Sequence, residues 1–185
     1  MKYQAIVMGA SAGGIRTFGE ILRQLTDDFP LPIFITQHIA SDSSAQFIKL
    51  FNSKSSLKVV EAKDKAPIES GFVYIAPPGY HLLINEDYSL SLSFSECVNF
   101  SRPSIDVMFE SASDVYESGL IGILLTGANR DGANGMKRIH QNGGFCIAQD
   151  PGEAEVDTMP KSAIETTKVD KVLQLSEIIN FLAKL

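Results

Sequence analysis

Three residues of this 185-residue chain have the types that nucleophilic catalysis requires, and each stands just after an apolar run: Ser11, His38 and Asp131. Ser11 is the centre of Gly9-Ala10-Ser11-Ala12-Gly13, a Gly-x-Ser-x-Gly pattern that follows Ala5-Ile6-Val7-Met8. A serine hydroxyl is a weak nucleophile in an ordinary environment. A tight glycine-flanked turn from strand to helix exposes its oxygen at the strand's carboxyl end. The same turn aims the N–H groups of the helix start at any negative charge that develops. His38 follows Ile33-Phe34-Ile35-Thr36-Gln37, and Asp131 lies in Thr126-Gly127-Ala128-Asn129-Arg130-Asp131-Gly132 after the run Leu120 to Leu125. Nucleophile, general base and carboxylate orienter are the parts of an acyl-transfer site. On that reading the backbone N–H groups of Ala12 and Ala128 form the oxyanion hole, where losing one donor costs about 2.7–4 kcal/mol of activation free energy.

Each residue also has a structural reading. The glycine-rich turn at 9–14 is able to cradle phosphate, with Ser11 as a helix cap, and the surroundings of Asp131 also suit a turn and a cap. The dinucleotide fingerprint fails, because Ser11 holds its second glycine position, and the Gly-Lys-Ser/Thr ending of phosphate loops is absent. His81, after Pro77-Pro78-Gly79-Tyr80, reads as structural or close to substrate. His140 reads as a solvated helix residue, and Arg102 and Arg130 as surface or loop-tethering groups.

The elements that must position these residues follow from the hydrophobic pattern. Apolar runs at 5–8, 33–36, 57–60, 72–75, 120–125 and 145–148 read as strands. Between several of them lie helix-like stretches: Gly14 to Leu25 with Ile15, Phe18, Ile21, Leu22 and Leu25 on one face, Ser43 to Asn52, and Pro103 to Glu117 with Pro103 in the first turn. Continuous apolar strands alternating with amphipathic helices predict an α/β fold, a doubly wound, mostly parallel sheet with helices on both faces. In such sheets chemistry collects at the carboxyl ends of strands. Residues 80–95 alternate apolar and polar around Asn85-Glu86-Asp87 and predict a small antiparallel hairpin. Asp150 to Thr158 reads as a loop, and Ser176 to Lys184 as a last helix capped by its serine.

The length suits one well-cored domain over residues 1–185. A formal charge of −6, with basic residues scattered singly, argues against a nucleic-acid binder. Neither a bilayer-spanning run nor a signal-peptide core is present, so a cytoplasmic protein that is not membrane-embedded is expected. Two cysteines, Cys97 and Cys146, give no disulfide framework and no zinc site, and Cys146 in Gly-Phe-Cys-Ile-Ala reads as a buried thiol.

The chain order Ser, His, Asp differs from the Ser, Asp, His order of α/β-hydrolases. On a doubly wound scaffold it resembles the chemotaxis protein-glutamate methylesterases, the CheB family, over essentially the whole chain. Gly9-Ala10-Ser11-Ala12-Gly13-Gly14 is similar to that family's nucleophile turn and Gln37-His38 to its base. Val73-Tyr74-Ile75-Ala76-Pro77-Pro78-Gly79 with His81, and Arg102-Pro103-Ser104-Ile105-Asp106, resemble its middle section. Leu125-Thr126-Gly127 with Asp131-Gly132-Ala133 is similar to its aspartate loop, and Ala148-Gln149-Asp150 with Met159-Pro160 to its closing segment.

The resemblance implies a serine hydrolase that removes methyl from γ-glutamyl methyl esters on chemoreceptor cytoplasmic helices, releasing methanol, with deamidation of receptor glutamines as a second activity. It implies Ser11 as nucleophile, His38 as base, Asp131 as orienter, and neither cofactor nor metal. A chemotaxis kinase or a separate receiver protein is an implied partner. Ala12 stands where the family often has threonine, and Ala128-Asn129 where it often has Met-Gly. The first strand begins too near the start of the chain for an N-terminal receiver domain to fit, so a free-standing or separately produced catalytic piece is expected. The alternative is a non-catalytic signalling module that binds a partner through the same scaffold.

Overall fold

The computed structural model describes residues 2–38 and 44–185. Its elements run β1 (Ala5–Ala10), α1 (Gly14–Gln24), β2 (Ile33–Gln37), α2 (Ser44–Asn52), β3 (Lys58–Glu61), β4 (Phe72–Ile75), β5 (His81–Ile84), β6 (Leu90–Ser93), α3 (Ile105–Tyr116), β7 (Leu120–Leu124), α4 (Ala133–Gln141), β8 (Phe145–Gln149), α5 (Thr158–Thr166), β9 (Lys171–Leu173) and α6 (Leu175–Leu182).

β1 is buried at all six positions. A strand with no polar side chain on either face belongs inside a sheet that is covered on both sides. β2 and β7 flank it in parallel, with Gly9 opposite Thr36 on one side and Leu124 on the other. The seven-stranded parallel sheet has the order β3-β4-β2-β1-β7-β8-β9, and β5 and β6 pair separately as an antiparallel hairpin. The chain builds outward from β1 through β2, then returns across β1 to start again at β7. That reversal opens a crevice above the carboxyl ends of β1 and β7, the place where doubly wound sheets bind and react. Ser11 follows β1 and Asp131 follows β7.

The alternation of β1 divides the core. Ile6, Met8 and Ala10 pack with Phe18, Ile21 and Leu22 of α1 and with Ile178 and Leu182 of α6. Ala5 and Val7 face the other way, toward Met108 and Phe109 of α3, Met136 and Ile139 of α4, and the hairpin's Leu82 and Leu90. Full burial of a side chain such as Phe109 contributes about 1.5–3 kcal/mol. Gly9 has a specific task here. A Cβ at this position would run into the side chain of Ile105, so only glycine lets the first turn of α3 rest directly on the carboxyl end of β1.

Several boundaries differ from the sequence reading. Ile15 is 40% exposed, because the buried arc of α1 is Gly14, Thr17, Phe18, Ile21 and Leu22, and Ile15 lies about a quarter turn to its side. α3 starts at Ile105 behind the N-cap Ser104, whose Oγ accepts from the Val107 N–H at 3.5 Å, so Pro103 precedes the helix. α6 starts at Leu175, not at a serine-capped Ser176. Its cap is Gln174, in a capping box where Glu177 Oε2 accepts from the Gln174 N–H at 2.9 Å. α5 and the three-residue β9 carry no strong hydrophobic period and were not expected. α2 ends at Asn52 as predicted, while its predicted first residue, Ser43, lies outside the described residues. Cys146 is buried, with its thiol pushed up to about 12 by burial and by the nearby Asp170 charge, whereas Cys97 is exposed. No helix among the described residues is long and apolar enough to cross a membrane.

Candidate active site

Ser11 leaves the sheet as soon as β1 ends. Its N–H donates to the Thr126 carbonyl at 3.0 Å, and its own carbonyl accepts from Gly14 N–H at 3.0 Å. Gly13, at φ +81°, is the N-cap of α1 and makes no side-chain cap bond. Ser11 is therefore not the helix cap, and among the described residues no hydrogen bond engages its Oγ. Thr126 staples the turn from below: its Oγ1 donates to the Ala12 carbonyl at 2.9 Å and accepts from Val156 N–H at 2.9 Å. The backbone N–H groups of Ala12 and Ala128 make no hydrogen bond among the described residues, and both residues are exposed at the rim.

One side chain links the serine turn to the histidine. Gln37 Nε2, at the end of β2, donates to the Ser11 carbonyl at 2.7 Å and to the His38 carbonyl at 3.0 Å. Gly14 makes room for this amide, since a Cβ there would collide with Gln37 Oε1. The His38 N–H in turn donates to the Ala10 carbonyl at 3.1 Å. His38 Nε2 lies 2.8 Å from Asp131 Oδ2, with only 12% of the imidazole exposed. The opposite ring nitrogen, Nδ1, lies 3.3 Å from Asn129 Nδ2.

Asp131 is fully buried and accepts hydrogen bonds from five groups. To Oδ1 donate Ser104 Oγ at 2.8 Å, Asn99 Nδ2 at 3.0 Å and the Asp106 N–H at 3.1 Å. To Oδ2 donate the Ile105 N–H at 2.7 Å and His38. Burial alone would raise this carboxyl. The bonds from His38, Asn99, Ile105 and Ser104 outweigh it and hold the carboxyl below its ordinary value. An ionised Asp131 with every donor turned toward it has no proton of its own, so the hydrogen between it and the imidazole sits on His38 Nε2. In the neutral ring Nδ1 then carries the lone pair. Two of the five donors are first-turn N–H groups of α3, so the carboxylate also meets the positive end of that helix. The cap of α4 is Gly132, not Asp131.

Asp106, 3% exposed, stands behind Asp131. Burial raises its carboxyl, the Gly135 N–H at 2.7 Å draws it down, and the Asp131 charge raises it again. Asn99 Nδ2 bridges the two carboxylates, at 2.8 Å from Asp106 Oδ2 and 3.0 Å from Asp131 Oδ1. His81 supports the same turn. Buried completely, it accepts from the Ser104 N–H at Nδ1 (3.1 Å) and donates from Nε2 to the Glu96 carbonyl (3.0 Å). It is structural. Arg102 is the loop tether expected of it, donating to the carbonyls of Phe94 and Ser95 and stacking over the Phe94 ring at 3.8 Å. Arg130 is exposed, and His140 is half-buried.

The structure thus brings His38 and Asp131 into direct contact and ties the Ser11 backbone to both neighbouring loops. Among the described residues it places no hydrogen bond between Ser11 Oγ and the imidazole. The residues that sequence reasoning missed are Asn99, Ser104 and Asp106 as partners of Asp131, and Gln37 as a bridge. Only the Ser104 cap had a local signal, a serine three residues before Val107; the others act across 25 to 32 positions of sequence. Beside His38 a groove of about 510 Å³ is lined by Asn99, Phe100, Asn129, Arg130, Thr158 and Ser162, among others, with Phe100 fully exposed at its edge. A groove of about 660 Å³ between the ends of α3 and α4, near Asp114 and Arg138, opens at the amino edge of the sheet, away from Ser11.

The fold and the rim together define a doubly wound α/β protein with its serine, histidine and aspartate loops at the topological switch. The family model described as CheB methylesterase matches residues 6–182, and the chain belongs to that family. It is 52% identical over 185 residues to a Leptospira interrogans protein (serovar copenhageni) named "Putative protein-glutamate methylesterase/protein-glutamine glutaminase", covering 100% of this chain and 96% of that one. A protein of Anaeromyxobacter dehalogenans named protein-glutamate methylesterase/protein-glutamine glutaminase 2 is 40% identical over 184 residues, covering 100% of this chain and 54% of its own length. The crystal structure of the Thermotoga maritima CheB methylesterase catalytic domain superimposes with a TM-score of 0.94 at 34% identity, covering 100% of this chain and 99% of that one.

Proposed function

We propose that this chain is a serine hydrolase that demethylates glutamate methyl esters on the cytoplasmic helices of chemoreceptors and deamidates receptor glutamines. The observation that carries the reading is the His38 Nε2 to Asp131 Oδ2 contact of 2.8 Å, which fixes the imidazole with its basic Nδ1 turned away from the carboxylate at the rim that carries Ser11. Family membership and the names of the Leptospira and Anaeromyxobacter relatives support the substrate class.

In this mechanism Ser11 Oγ attacks the ester carbonyl carbon and its proton passes to His38 Nδ1. The carbonyl oxygen becomes an oxyanion that the Ala12 and Ala128 N–H groups receive. Collapse breaks the bond to the methoxy oxygen, which takes the proton from Nδ1–H and departs as methanol. Water then adds to the acyl-serine, giving its proton to His38, and collapse returns that proton to Ser11 Oγ as glutamate leaves. For a glutamine side chain the leaving group is ammonia. Asp131 keeps its negative charge throughout and stabilises each transient imidazolium.

The test is methanol release from methyl-esterified receptor membranes. Wild-type protein should release methanol and Ser11→Ala should reduce release to background. A folded wild-type protein no faster than Ser11→Ala on a confirmed substrate would favour a non-catalytic partner-binding module.

A further inference from the structure

The basic nitrogen of His38 is already occupied, and not by the serine. Asn129 reaches it with Nδ2 at 3.3 Å, while Asn129 Oδ1 accepts from the Asp131 N–H at 3.1 Å. The second bond decides which end of the amide faces the imidazole. Oδ1 is held by the backbone two residues on, an Asx turn, and so the NH2 group points at the ring. The other side of the ring is equally determined, because the buried, five-fold solvated Asp131 takes the Nε2 hydrogen. A donor thus meets the one lone pair that the proposed mechanism needs as base. No hydrogen bond from Ser11 Oγ to His38 competes with it among the described residues.

We propose that Asn129 is a positioning residue that holds the imidazole in a resting state, its amide occupying Nδ1 until a bound acyl group draws Ser11 and His38 together. The inference rests on Ser11 being the nucleophile. Its chemical consequence is two-sided. While Asn129 donates to Nδ1, the free enzyme's serine lacks its base and is poorly reactive toward adventitious esters. Once Nδ1 is protonated during turnover, two donors face each other, and the amide disfavours a lingering imidazolium. That repulsion favours handing the proton on to the departing methoxy oxygen. Asn129 also lines the groove beside His38 with Phe100, Arg130 and Thr158, so a side chain entering the groove has direct access to the amide.

A neutral hydrogen bond contributes about 0.5–1.5 kcal/mol net, so freeing Nδ1 corresponds to a change of about 2- to 12-fold in the reactivity of the resting serine. The experiment measures labelling of the full chain by a small fluorophosphonate, in which the Ser11 Oγ–P bond forms as the P–F bond breaks, with the site mapped by mass spectrometry. Asn129→Ala should label Ser11 several-fold faster than wild type. Asn129→Asp keeps an acceptor for the Asp131 N–H but offers Nδ1 a carboxylate, which keeps a hydrogen on that nitrogen, and it should label more slowly than wild type. A purely loop-ordering role gives the reverse order, with Asp close to wild type and Ala slower. That order, or rates within twofold for both variants, overturns the proposal.

An independent readout uses ¹⁵N-labelled histidine. The His38 Nδ1 resonance should move toward the free pyridine-type position in Asn129→Ala, and an unchanged resonance also overturns the proposal. If neither wild type nor variant labels at Ser11, the nucleophile reading fails, and the ¹⁵N shift alone then decides whether Asn129 holds the ring.

Discussion

Replacing Asp131 by asparagine separates its two tasks, because it changes shape little and charge completely. One of the two oxygens becomes NH2. Retaining oxygen at the Oδ1 position keeps the bonds from Ser104, Asn99 and the Asp106 N–H, and turns the new amine toward the Ile105 N–H and His38. A buried N–H left without a partner costs about 1–3 kcal/mol. Loss of negative charge from the first turn of α3 costs a further 0.3–1 kcal/mol or about 2 at most. Relief of burial and of repulsion with Asp106 offsets much of the second amount. A net loss of about 1–3 kcal/mol is expected, or a Tm lower by roughly 2–4 °C per kcal/mol for a chain of this size.

The catalytic effect is larger. An amine opposite Nε2 forces the hydrogen onto Nδ1, and Ser11 loses its acceptor. The same exchange in a Ser-His-Asp protease lowers turnover about 10⁴-fold. Methanol release should therefore fall by three to four orders of magnitude, on the order of that loss, in protein that urea titration shows to be folded at neutral pH. The stability difference has a definite pH dependence. The folded-state carboxyl lies below its unfolded value of about 3.9, so its contribution is fully present above that value and is lost as pH falls through the folded one. The gap between wild type and Asp131→Asn should close over that acid window. A folded variant with turnover within tenfold of wild type would refute the tautomer argument, and a gap unchanged in acid would refute the charge argument.

Asp106 should show the opposite sign. Its carboxyl is raised, so its contribution is full below the unfolded value and lost as pH rises through the folded one; Asp106→Asn should flatten that decline in urea unfolding as pH rises above the unfolded value of about 3.9. Gly9→Ala forces its methyl into Ile105 and should destabilise by about 1–3 kcal/mol, with kcat reduced because the first turn of α3 is pushed from Asp131; thermal melts and methanol release read both. Phe100→Ser, at a fully exposed position beside the groove, should raise KM for receptor membranes several-fold and leave Tm unchanged; an unaltered KM would remove Phe100 from the substrate path. Cys97 should react with a thiol reagent in the native state at about pH 8 while Cys146 reacts only on unfolding, measured by titration with and without denaturant.

The centre of the sheet was legible because strands such as β1 and β7 are written as unbroken apolar runs, and such runs survive any detail of packing; the edge strand β9, Lys171–Leu173, carries no such run. The hairpin was legible for the complementary reason, an alternation that only a one-sided ribbon satisfies. Boundaries were less so: Ser176 looked like a cap, but the capping box of Gln174 and Glu177 began α6 one residue earlier. The three candidate residues were visible because each follows a strand. Their support was not. Nothing adjacent to Asp131 in sequence says that it receives the first N–H groups of the helix at 105–116, since those bonds form only when β1 and α3 touch through Gly9. Asn129 stands where related loops often have glycine, while the ring nitrogen it touches could be found only in three dimensions.

The contact between Asp131 and the start of α3 changes what each residue can tell about a related chain. A mutation that silences Ser11 breaks no side-chain hydrogen bond among the described residues, so such losses can accumulate wherever the activity is no longer needed. Asp131 is held in place by the folding of α3 as well as by its contact with His38, and a chain that had abandoned catalysis would still need it at the start of that helix. Its presence therefore records the scaffold, whereas the serine bears on the proposed activity. In sorting catalytic relatives from retired ones, the aspartate is the one member of the proposed triad that carries no vote.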